Sequence, residues 1–229
     1  AIRFRELYRI SPLGVVAVIV AGVISSIIFS IGPVYARLKG LDTTAIATFM
    51  AVSILAGVAT QYPVGMLADR WDRRAVIAGV CALATVAAGS IVAFAEMPRV
   101  LFLALSAAFS GLALTIYSLG ISHVNDRLEP AQMVAASSAL LLLNGAAAIL
   151  GPVLASSLIG SYGPSAYFST LGALSGVLTL HCLWRKSRRA PVPQAERGPF
   201  ISAQPQPCAS VGEPPWLEPR ADGPSFKGN

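Results

Sequence analysis

Charge is what this sequence lacks. Of its 229 residues, 12% are charged and 55% are hydrophobic, where a soluble globular domain carries roughly a quarter charged residues. The scarcity is also uneven. No Asp, Glu, Lys or Arg occurs between Arg9 and Arg37, Asp42 and Asp69, Arg74 and Glu96, Arg99 and Asp126, or Glu129 and Arg185. Each gap reaches the about 20 apolar residues that one membrane-spanning helix needs, which excludes a soluble fold. Histidine and cysteine are scarce too, at two and three residues, and their spacing suits neither a metal site nor a disulfide framework. The sequence calls for no cofactor. An enzyme is disfavoured, because His123-Val-Asn-Asp126 lacks an intramembrane catalytic spacing and no serine sits in an elbow motif. No carboxylate or arginine lies deep in any apolar run, so the sequence shows no obvious proton-coupling acid and no fixed charge to hold an ionic substrate.

What is present is apolar sequence in measured lengths. The gap from 130 to 184 would make roughly 80 Å of helix at about 1.5 Å per residue, against a hydrocarbon core of about 30 Å. It must therefore be divided. The turn chemistry of Gly160-Ser-Tyr-Gly-Pro164 divides it, giving six expected helices at 12–36, 43–67, 75–95, 99–122, 131–158 and 164–184. Pro12, Pro98, Pro130 and Pro164 should occupy first turns, where a missing N–H costs nothing. Pro33, Pro63 and Pro152 should kink their helices. The first apolar run is too long for a cleavable signal peptide and lacks a small-residue cleavage pattern.

The short connections carry charge asymmetrically. The 1–11 arm, the second and fourth loops and the end of the sixth helix hold eleven Lys/Arg, whereas the alternate loops hold Arg37, Lys39 and Arg99. By the positive-inside rule both termini are expected in the cytoplasm, and the net charge of +6 reads as a topology signal rather than a nucleic-acid surface. The segment 185–229 starts basic and then turns rich in Pro and Gly; nine Pro and four Gly fall within 190–229. A disordered cytoplasmic tail is expected there, following a 12–184 transmembrane bundle.

Five formal charges crowd into six residues at Asp69-Arg-Trp-Asp-Arg-Arg74. A charge at mid-membrane costs about 2.5–3.5 kcal/mol or more, so this cluster belongs at the interface, in a short loop that makes the second and third helices antiparallel neighbours. The whole stretch "GMLADRWDRR" resembles the loop signature of the major facilitator superfamily, Gly-x-x-x-Asp-Arg/Lys-x-Gly-Arg/Lys-Arg/Lys. Gly65, Asp69, Arg70, Arg73 and Arg74 match; Asp72 stands where glycine is usual. "HVNDRL" (123–128) places an acid at the end of the fourth helix, and "NGAAAILGP" (144–152) is similar to the Gly-Pro antiporter-type motif, with Gly151 and Pro152 as its kink. Together with "RFRELYRISPLG" (3–14), these phrases are most similar to the second half of YcaD-like bacterial permeases.

The resemblance implies an all-α membrane protein of the bacterial inner membrane. Its six helices would form one half of a transporter fold, built as two inverted three-helix repeats, with the chain a truncated or split half needing a second six-helix half. It implies alternating access to a small solute, with Arg73 paired to Asp126 and Asp69 facing a helix N-terminus on the other half. It also implies that helices one and four line the substrate cavity. Ser26, Ser30, Ser110, Thr115 and Tyr117 are then the cavity candidates, with Asn144 on helix five either a ligand contact or an interhelical hydrogen bond. Tyr35, Tyr62, Tyr117 and Tyr162 lie near span ends and suit an interface belt. A different reading, a non-transporting membrane protein that is a fold remnant or assembly partner, predicts that Asp69 has no partner at all.

Overall fold

The computed structural model describes residues 4–94 and 96–186. A short helix α1 (Phe4–Ile10) leads into α2 (Pro12–Ser26), which continues through a π-helical turn (Ile27–Ile31) into α3 (Gly32–Leu38). Then follow α4 (Thr43–Arg70), α5 (Arg73–Ala93), α6 (Arg99–Asn125), α7 (Pro130–Tyr162) and α8 (Ala166–Lys186). With α2 and α3 joined, six of these rods are long and apolar enough to cross a membrane, at mean hydropathies of 1.3 to 2.6. The described residues thus form an all-α, multi-pass membrane fold. Of the expected tail, everything from 187 lies outside the described residues.

Helix ends follow local chemistry. Asp42 accepts a hydrogen bond from the Ala45 N–H at 3.0 Å and caps α4; Asp72 does the same for α5 through the Arg74 N–H at 3.1 Å. Gly163 adopts φ +79° just past α7, a conformation that closes a helix at little cost only for glycine. Pro12 and Pro130 sit in first turns, whereas Pro98 is the N-cap of α6 and Pro164 lies in the turn before α8. Pro63 and Pro152 are carried inside continuous helices. Only Pro33 accompanies a change of helix type. It lacks the N–H that would reach Phe29, and one residue earlier the Gly32 N–H reaches both the Ile27 and Ile28 carbonyls. The ladder thereby widens by one residue over 27–31.

Packing reveals how the six spans are arranged. The main helix pairs are α2 with α6, α7 and α8, α4 with α6, and α5 with α6 and α8. Exchange the first three spans for the last three and this set maps onto itself: α2·α7 becomes α6·α4, α5·α6 becomes α8·α2, and α2·α6 and α5·α8 are unchanged. Each repeat holds an odd number of spans, so the exchange also inverts direction across the membrane. The described spans are therefore arranged as two inverted, interleaved three-helix repeats.

The two equivalent crossings use the same device. At α2·α7, a side chain on Gly22 would overlap the Asn144 carbonyl, and one on Gly151 would overlap Ser26 and the Val23 carbonyl. At α4·α6, a Cβ on Gly111 would stand 2.5 Å from Thr60 Oγ1 and one on Gly57 2.7 Å from Leu114 Cδ1. One glycine from each helix lets the backbones approach, which matters because lipid supplies no hydrophobic drive between helices.

Candidate functional site

The loop between α4 and α5 is only Trp71 and Asp72. Trp71 donates its N–H to the Leu67 carbonyl at 2.9 Å and ends α4; extended Asp72 caps α5. This explains the acid where the superfamily pattern has glycine: it holds the first turn of the next helix. Arg73, the first residue of α5, is thereby turned inward. Its side chain is 2% exposed, next to an Asp126 side chain at 4%.

At least three groups hold that guanidinium. Nη1 donates to Asp126 Oδ1 at 2.5 Å and to the Ser122 carbonyl at 2.8 Å, while Nη2 donates to Asp69 Oδ1 at 3.2 Å. Asp69 ends α4, and Ser122 and Asp126 end α6, so one side chain ties three helix termini together. Because α6 points its C-terminal carbonyls at this spot, its dipole adds to the attraction. Removing one partner of such a buried pair costs about 3–5 kcal/mol, since the other charge is left behind.

The remaining motif residues are arranged around this contact. Gly65 is buried one turn before Asp69, and Arg70 points out. Arg74 is 5% exposed and faces the other way from Arg73, lining a small cleft with Ser11, His123, Arg127 and Arg185. Arg127 Nη1 reaches His123 Nε2 at 2.8 Å and the His123 carbonyl at 3.0 Å. Arginine can only donate, so Nε2 is the acceptor in this contact. Asp69 is 44% exposed and bonded to Arg73, which removes the fully unpartnered Asp69 that a non-transporting remnant predicts.

The cavity candidates divide sharply. Ser30 is exposed within the π turn and Ser26, just before it, is half-buried. Ser110, Thr115 and Tyr117 are instead enclosed within the bundle, because from Phe109 to Val124 only Leu112 of α6 is less than buried. Thr115 donates to the Leu112 carbonyl at 2.7 Å. Asn144 is buried as well, donating across the crossing to the Val18 carbonyl at 3.0 Å; an interhelical bond is what the structure gives it. Pro152 follows Gly151 within an unbroken α7.

A second group went unread in the sequence. At the opposite end, Tyr35 stacks on Tyr167 with centroids 4.5 Å apart and meets Phe168 edge-on at 5.3 Å, with Phe49 and Phe102 beside them. Tyr35 and Tyr117 are buried, not belt residues; Tyr62 and Tyr162 are exposed. Above this cluster opens a cavity of about 470 Å³ bordered by Lys39, Asp42, Arg99 and Phe102. Among the described residues no group of three or more His, Cys, Asp or Glu gathers to hold a metal.

These features meet in one comparison. The family model of the Major Facilitator Superfamily matches residues 13–224. The chain belongs to that superfamily. Its members are transporters rather than enzymes, and the match runs past the sixth span into the Pro-rich segment. Among individual proteins, the chain is 28% identical over 187 residues to an Uncharacterized MFS-type transporter of Enterobacter sp. (strain 638). It is equally similar to the Uncharacterized MFS-type transporter YcaD of Salmonella paratyphi B and of Salmonella newport. These alignments cover 82% of this chain but 47% of each relative. The superfamily chain described here thus spans about half the length of the curated relatives it matches.

Proposed function

We propose that this chain forms one half of a secondary transporter that moves a small solute across the bacterial inner membrane by alternating access. Both termini would face the cytoplasm, as the distribution of Lys and Arg favours. The carrying observation is the buried Arg73, bound at once to α4 and α6. In this reading it is a latch: the contact exists when the end bearing it is closed and biases a two-state equilibrium without touching solute. The exposed Ser30, within the π turn, is the solute contact this half offers. With the charged residues of the described spans confined to their ends, the half suits a neutral or amphipathic solute, and a coupling acid would come from elsewhere.

A second six-helix half is supported by uneven coverage. Within their most apolar windows α4 and α7 are 22% and 28% buried, whereas the other spans run from 44% to 67%. These two inversion-related helices present the faces on which a second half would pack.

The experiment uses a variant lacking the native cysteines and carrying Ser30→Cys, labelled in oriented vesicles with a membrane-impermeant maleimide. Arg73→Asp or Asp126→Arg alone should raise labelling from the side of the 69–74 loop several-fold, and the double exchange should restore it. Equal labelling in all four proteins would sink the latch.

A further inference from the structure

The cleft on the far side of Arg73 has a chemistry of its own. It is lined by Ile10, Ser11, Pro12 and Leu13 at the start of α2, Arg74 of α5, His123 and Arg127 at the end of α6, and Arg185 of α8. Three guanidinium groups from three different helices converge there, and no Asp or Glu lies among the described lining residues. Ser11 supplies a second, independent sign of a ligand. It is 1% exposed, its hydroxyl has no hydrogen-bond partner, and as the N-cap of α2 it makes no capping bond. A buried hydroxyl left unpaired is expensive, and here it borders a cavity whose other walls are cationic and whose floor is the positive end of a long helix.

Size narrows the occupant. The enclosed space is about 20 Å³, little more than the about 10–15 Å³ that admits a water-sized group. A ligand can therefore insert one anionic oxygen while the rest of it stays outside. Beside the opening, α1 exposes Phe4 and Tyr8 around a buried Leu7, aromatic residues of the kind that rest at headgroup level. Arg5 and Arg9 lie on the same short helix.

We propose that this cleft takes one phosphate oxygen of an anionic phospholipid headgroup, whose remaining oxygens stay at the mouth, with Ser11, Arg74, Arg127 and Arg185 as the binding groups. Arginine matches phosphate geometry by paired, charge-assisted hydrogen bonds, and basic pockets between spans suit such headgroups. The site shares its two loops with the latch: Arg73 and Asp126 pair with each other, while their neighbours Arg74 and Arg127 line the cleft. A bound headgroup would tie α2 and α8 to the same loop ends that Arg73 ties to α4. The proposal concerns binding alone and stands whether or not the chain transports.

The test is native mass spectrometry of the full chain, exchanged from detergent against phosphatidylglycerol or phosphatidylcholine. Wild-type protein should retain phosphatidylglycerol preferentially, and Arg127→Gln with Arg185→Gln should lower that preference about fivefold per arginine, the strength of one basic residue at an anionic surface. Ser11→Ala should lower it less. Equal retention of the two lipids by wild-type protein would overturn the proposal without recourse to any variant, as would an undiminished preference in the double variant. A competition arm separates the two sources of phosphate. Millimolar inorganic phosphate should leave phosphatidylglycerol bound; its complete displacement would make a soluble anion the occupant and overturn the lipid.

Discussion

At one end of the bundle Arg73 is gripped by Asp126, Asp69 and the Ser122 carbonyl; at the other, Tyr35 lies on Tyr167 within a ring of phenylalanines. Both contacts join the first repeat to the second, and both are buried. They differ in how they fail. Charge-assisted hydrogen bonds are short and directional, so a small displacement breaks them together and leaves charges unpaired. Ring packing is worth about 0.5–1.5 kcal/mol per pair beyond its area and tolerates several tilts, as the interplanar angles of 13° to 89° here illustrate. An end held by direction can be opened in one step, whereas an end held by rings can slide while staying packed. The proposed mechanism uses the first as its latch.

That contrast can be broken experimentally, starting with the strongest contact. Arg73→Ala should destabilise the folded chain by about 3–5 kcal/mol, read as a fall in thermal denaturation temperature in detergent, and should also expose Ser30→Cys to labelling. Phe168→Ala should cost nearly as much, at the low end of about 3–5 kcal/mol because part of the usual transfer term vanishes in lipid. Its distinguishing mark is that labelling at position 30 stays unchanged. If Phe168→Ala opens the loop end as readily as Arg73→Ala, the two ends are not distinct devices. Between them lies the waist, where Asn144→Ala should cost about 0.6–1.7 kcal/mol, the range measured for polar contacts between spans. It should leave labelling unaltered; a larger loss would make the Val18 contact a structural keystone.

The six spans were legible because charge cannot be hidden in lipid, and the gaps between charged residues placed each helix to within a few residues of its observed ends. The Arg73–Asp126 pair was legible only through the family pattern; spacing alone could not bring residues 73 and 126 together. Ser110, Thr115 and Tyr117 show the limit of that approach. Their polarity is visible in the sequence, but which side of α6 is covered depends on α2, α4 and α5, whose packing no periodicity in α6 encodes. Tyr35 fails for a related reason: a tyrosine near a span end suits a lipid interface and a buried stack equally well, and Tyr167, 132 positions later, decides between them. Asp72, by contrast, carries a local signal, an N-cap residue before an apolar run, and it caps α5 through the Arg74 N–H.

The interleaved packing also fixes an order of events during synthesis. The most extensive helix pairs each join a span from the first three to one from the last three, so the first repeat leaves the ribosome with few contacts of its own to close. At about 5–20 residues per second, α2 to α5 must wait several seconds in the bilayer, with Gly22 and Gly57 bare, before α6, α7 and α8 arrive to fill them. A nascent chain stalled after Ala93 should therefore remain a loose set of spans, open to capture by membrane chaperones and proteases.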